Sequence, residues 1–114
     1  MAYTLEQVQQ MRDAKLRGAL GALAPIWLVK EEFRPREDAL IFHLVYNDQS
    51  YGWMNRAYKY DAFNNVLYHM GWHLVSEDDA VAIQDLPPHI EGDVASHVPN
   101  APAFRAGSAA GRPR

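Results

Sequence analysis

At the start of the chain, apolar residues fall on a helical stripe. Leu5, Val8, Met11, Leu16, Ala19, Leu20 and Leu23, with Ala14 or Lys15 between them, recur at the three- and four-residue spacing of one helix face. Thr4, with Gln7 three residues on, has the form of a capping box and marks the start. Arg12, Asp13 and Arg17 fall largely away from the stripe. Gly18 and Gly21 weaken the last turns and Pro25 ends them, so the spacing predicts a helix to about Leu20.

The pattern then changes. Residues 26–29 (IWLV) are β-branched and aromatic, and residues 30–33 alternate weakly, which predicts a first strand. After the charged turn at 34–38, residues 39–46 (ALIFHLVY) are nearly all apolar, as in a strand covered on both faces. The two predict an antiparallel hairpin with a five-residue loop. Residues 47–50 stop the second strand. Residues 51–60 fit a helix or an irregular loop. Asp61 has the form of an N-cap, followed by a short stripe of Phe63, Val66, Leu67 and Met70, with Gly71 as the residue after the helix end. Residues 72–75 read as a short strand or extended connector. Ser76 with Asp79 is a second capping box, and the acidic run at 77–79 suits a helix start. That helix ends by Asp85, before Pro87 and Pro88.

The order of elements predicts a small α+β domain over residues 1–85: an N-terminal helix, an antiparallel β-hairpin and two further short helices. Residues 86–114 hold five of the seven prolines and read as an extended, Pro/Ala-rich C-terminal arm. Leu86, Ile90, Val94, Val98 and Phe104 space apolar side chains along it, in the manner of pegs for a partner's surface.

Charge narrows the function classes. The net charge is −3 over 114 residues. Residues 1–85 carry 8 Lys/Arg against 12 Asp/Glu, and residues 86–114 carry 3 against 2, so −4 and +1 make up that total. A mildly acidic body is a poor match for the dense basic face that nucleic-acid binding needs. With no cysteine, disulfide scaffolds, thiolate zinc sites and cysteine nucleophiles are excluded. The start lacks a basic region followed by an apolar run, and the longest apolar run, residues 19–29, falls short of the ~20 residues a membrane-spanning helix needs. These features predict a soluble, cytoplasmic protein without a membrane span.

Seven of thirteen aromatics, Tyr51, Trp53, Tyr58, Tyr60, Phe63, Tyr68 and Trp72, lie within 22 residues. Such a cluster fills a core, anchors a protein interface, or holds a flat ligand. His69 and His73 are four apart and would share the face of a continuous helix, as helical metal ligands do, but Gly71 stands between them and no metal is assigned. His43, in the apolar strand, faces away from Phe42 and Leu44 and is expected to pair with a carboxylate such as Glu32. The serines sit in no nucleophile elbow, and no glycine-rich phosphate loop is present. Glu31, Glu32, Glu37 and Asp38 interleave with Lys30, Arg34 and Arg36 as a charge-balanced turn.

The first functional expectation is therefore a non-catalytic accessory or structural subunit. It binds a larger protein partner, or further copies of itself, through an aromatic face (Trp53, Tyr58, Tyr68, Trp72) and the C-terminal arm (Ile90, Val94, Val98, Phe104). The second is a small-molecule or cofactor-binding module in which His43, His69 or His73 adds polarity to the aromatic cluster; no particular cofactor is assigned. The third is a small acid–base enzyme using the same histidines.

Overall fold

A computed structural model describes residues 2–91. Helix α1 (Leu5–Leu20) starts at the predicted box: Gln7 N–H donates to Thr4 Oγ1 at 3.1 Å and Thr4 N–H to Gln7 Oε1 at 2.9 Å. A short 3-10 turn (Gly21–Leu23) follows, then β1 (Trp27–Arg34), a second 3-10 turn (Pro35–Glu37), β2 (Ala39–Asp48), β3 (Gly52–Asp61), β4 (Val66–Leu74) and α2 (Glu77–Ile83). The strands form one antiparallel meander in the order β1-β2-β3-β4. The class is α+β, but the predicted two-stranded hairpin is half of a four-stranded sheet.

Two local readings are corrected. Residues 51–60 form β3 rather than a helix or loop. Asp48 starts the turn before it: Oδ1 accepts the N–H groups of Ser50 (2.8 Å) and Tyr51 (3.1 Å), and Gly52 takes φ 85°, a conformation open chiefly to glycine. The helix predicted from Asp61 to Gly71 is instead a tight turn and β4. Asp61 Oδ1 accepts the Asn64 N–H at 3.2 Å and Oδ2 accepts from Asn64 Nδ2 at 2.8 Å, while Asn65 turns left-handed at φ 56°. A short side chain that bonds the backbone ahead of it serves a helix start and a hairpin turn equally well. The predicted short helix after Ser76 does form, and Ser76 Oγ accepts the Asp79 N–H at 3.2 Å.

The core lies between α1 and one sheet face. Cross-strand pairs set it: Leu40 opposite Tyr60, Phe42 opposite Tyr58, Tyr46 opposite Met54, all buried. Val8, Leu16, Ile26 and Ile90 close over them. Arg12, read as lying off the stripe, is instead at its centre and 1% exposed. Its guanidinium lies 4.9 Å above the Phe42 ring, with Asp13 Oδ1 at 2.6 Å and Glu31 Oε2 at 2.7 Å. Gln9 Nε2 donates to the other Glu31 oxygen, so α1 is tied to β1 through a buried charge. Burial is tolerable because the cation has both carboxylates and an aromatic face.

The opposite face carries a second, smaller apolar group, in which Trp27 meets Trp53 at 5.6 Å between ring centroids, beside Val45. The segment after α2 docks here, with the Trp27 indole N–H donating to Leu86 O at 2.8 Å. The chain then pairs with Ile26: Ile26 N–H donates to Ile90 O (2.8 Å), and Ile90 N–H donates back to Ile26 O (3.0 Å). His89 Nε2 sits 2.9 Å from Asp13 Oδ1. Residues 86–90, assigned to the arm by their prolines, thus lie on the body. Among the described residues, no helix is long and apolar enough to cross a membrane.

Candidate functional site

The two edges of the sheet differ in chemistry. β1 (WLVKEEFR) carries Lys30, Glu31, Glu32 and Arg34, shifts register at Val29, and is preceded by Ile26, already paired with Ile90. Charges and irregularities of this kind keep an edge from pairing with other strands. β4 (VLYHMGWHL) has neither charge nor proline. Its side chains protrude: Tyr68 is 48% exposed, Met70 55%, Trp72 54% and Leu74 58%. Tyr51, 67% exposed, leans on Trp72 with ring centroids 6.1 Å apart. Among the described residues no strand pairs with the outer edge of β4, and these large apolar groups gather beside it.

The register divides these residues between faces. Trp72 pairs with Arg56 and Leu74 with Met54, on the α1 side. Tyr68 pairs with Lys59 and His73 with Asn55, on the other. Between Gly71 (opposite Ala57) and His69 (opposite Tyr58) stands Met70, an extra residue that makes a bulge. The bulge reverses the alternation, so His69 and His73 point to opposite faces. The shared face expected of them on a helix does not exist, and among the described residues no group of three or more metal-ligating side chains occurs. His69 lies tilted against Tyr58, with ring centroids 5.2 Å apart. His43 pairs with Asn55 (Nδ1 to Oδ1, 3.1 Å) rather than Glu32, which is bonded to Arg34.

Of the predicted interface residues, Tyr68 and Trp72 both lie on β4, on opposite faces of the sheet. Trp53 is half-buried against Trp27. Tyr58 is buried, its ring stacked on Phe42 at 5.8 Å, so it belongs to the core and offers no surface. Ile90 is likewise corrected: at 5% exposure it fills the chain's own core. Val94, Val98 and Phe104 lie outside the described residues. Met70 and Leu74 were missed as site residues, although an uncharged run of nine was there to be read.

A polar feature adjoins Trp72. Arg56 Nη1 donates to Tyr58 Oη at 3.2 Å, and its guanidinium lies 5.4 Å from the Tyr46 ring centroid. Its Nε is buried without a partner, and no described carboxylate lies within ion-pair distance. The bond to the Tyr58 hydroxyl raises the Arg56 pKa despite burial. Tyr46 donates to Asp48 Oδ2 at 3.1 Å, and burial pushes its hydroxyl pKa up to about 12.

No family model matches this chain, and neither the curated proteins nor the solved structures include one that it resembles significantly.

Proposed function

We propose that the chain is a non-catalytic interaction subunit that takes a protein partner at the β4 edge. The observation that carries this reading is the uncharged, half-exposed strand with Tyr68, Met70, Trp72 and Leu74 on it. A partner strand laid along β4 satisfies its outward backbone groups, and the aromatic side chains give specificity on either face. Aromatic anchors of this type dominate binding energy where they become fully desolvated. In this reading Val94, Val98 and Phe104 add apolar anchors from the arm. The acid–base alternative would have to do without His69, which lies on the α1 face, while His43 and His73 lie on the other face on either side of Asn55.

Native mass spectrometry of the assembly purified from its source tests the proposal. The wild-type chain and a Lys30→Glu variant on the charged edge should retain the same stoichiometric partner, and Trp72→Glu should lose it. A Trp72→Glu variant that keeps its full complement would refute the reading.

Arg56 favours a second reading, a module for a small carboxylate-bearing ligand. A half-buried guanidinium without an acidic partner, beside Trp72, suits a flat carboxylate. Benzoate should then raise the melting temperature of the wild-type chain and leave Arg56→Gln unchanged; equal response of the two sinks this alternative.

A further inference from the structure

We infer that the partner at β4 is a second copy of this chain, paired edge to edge and antiparallel about a two-fold axis. The inference rests on the interaction reading above and specifies its occupant. Three observations carry it.

The first is that, among the described residues, the sheet has one open edge. β1 is guarded by Lys30, Glu31, Glu32 and Arg34, by its register shift at Val29 and by the Ile90 pairing at its start. A chain with two open edges would add copies without limit, whereas one open edge closes after a single pairing.

The second is self-complementarity. β4 is antiparallel to β3, and a copy rotated by the two-fold presents the same strand running the other way. β4 holds no Asp, Glu, Lys or Arg, so pairing it with its own copy opposes none of these charges at any register. The stretch beyond the bulge, residues 71–74, holds the two most outward apolar side chains on the α1 side, Trp72 and Leu74, next to Tyr51. Pairing there stacks the Tyr51–Trp72 pair of each copy against its counterpart across the axis.

The third is area. Complete cover of the exposed parts of Tyr51, Tyr68, Met70, Trp72 and Leu74 on both faces would bury at most roughly 500 Å² per copy, so at most roughly 1,000 Å² for the pair, the range of a weak, transient interface. The dimer is accordingly one that dissociates on dilution.

Sedimentation of the full chain across a concentration series, with hydrogen exchange at low and high concentration, tests this. A reversible monomer–dimer equilibrium is expected, with β4 amides alone gaining protection as the dimer forms. Trp72→Lys should weaken association by about tenfold or more, with Tyr68→Lys additive on it, while circular dichroism stays unchanged. Should the charged variants perturb the fold, concentration-dependent exchange of the wild-type β4 amides decides alone. A wild-type chain that stays monomeric at millimolar concentration overturns the inference. So does a dimer whose β4 amides exchange at the same rate as in the monomer. Loss of a different stoichiometric protein on Trp72→Glu, from a chain that is monomeric by itself, overturns the second copy and leaves the interaction reading standing.

Discussion

Ile90→Ala should destabilise the protein by about 2.5 kcal/mol, although sequence places this residue in an arm outside the domain. Ile90 is 5% exposed and packs in the same core as Val8, Leu16, Ile26 and Phe42. Removing three carbons there loses transfer free energy and leaves a cavity; buried Ile→Ala changes cost ~2–5 kcal/mol. The value belongs near the lower end because residue 90 sits at the core's margin, where neighbours can relax inward. Its backbone bonds to Ile26 survive in alanine, so the loss reports side-chain packing alone. Leu86→Ala is the control. Its side chain is 60% exposed and only its carbonyl serves Trp27, so its cost is about 0.5 kcal/mol or less. Urea unfolding followed by tryptophan fluorescence reads both, with an unchanged m-value showing that the ensemble is comparable. Against a total stability on the order of 5–10 kcal/mol, the Ile90 loss is large. If Ile90→Ala and Leu86→Ala unfold at the same urea midpoint, the placement of Ile90 in the core is wrong.

Arg12→Ala is expected to cost about 3–5 kcal/mol, because Asp13 and Glu31 lose a buried cation; adding Glu31→Gln should recover part of it in a double-mutant cycle by urea unfolding. Asn65→Gly should lose about 1 kcal/mol, the Tyr60 hydroxyl's bond to Asn65 Oδ1, and Asn65→Ala about 1–2 kcal/mol more, since only the latter strains the left-handed turn. Tyr46, buried and raised to about 12 from an ordinary 10.0, holds its proton more tightly folded than unfolded. Stability is then full below pH 10 and falls as pH rises from there through about 12. Melting curves over that window should show the fall, and Tyr46→Phe should reduce it, with Tyr60, whose hydroxyl pKa is also raised by burial, supplying the remainder.

What was legible in the sequence follows how local each signal is. The α1 and α2 caps rest on a Thr or Ser and a residue three positions on, and both were readable. β2 was readable because a central strand, between β1 and β3 and buried on its α1 face, makes a nearly continuous apolar run, although Ile41 and His43 on the other face are only half-buried. β3 was not: Met54, Tyr58 and Tyr60 alternate with polar neighbours, but Arg56 occupies the same inward face and hides the two-residue period. Its place there depends on Tyr46 and Tyr58 beneath the guanidinium, a tertiary circumstance. β4 imitated a helical stripe because an open edge leaves apolar residues on both faces, which cancels alternation. Its bulge at Met70 then moved His73 off the face of His69, and no one-dimensional spacing carries that. Arg12 reads as off the stripe because its carboxylate partner Glu31 lies on another element, which spacing along the helix does not show.

The aromatic cluster therefore resolves into two sets with different physical roles. Tyr58 and Tyr60 are held by α1 and by their β2 partners, and folding requires them. Tyr51, Tyr68 and Trp72 contribute little to the fold, because each keeps about half or more of its surface in solvent. Strand propensity and its half-buried ring favour Trp over Lys at position 72 only modestly, while solubility at an outer strand argues against it. The other edge of the same sheet uses that solution, with Lys30, Glu32 and Arg34. The asymmetry between two edges of one small sheet, built from the same chain and meeting the same solvent, is the observation on which the proposed association at β4 rests.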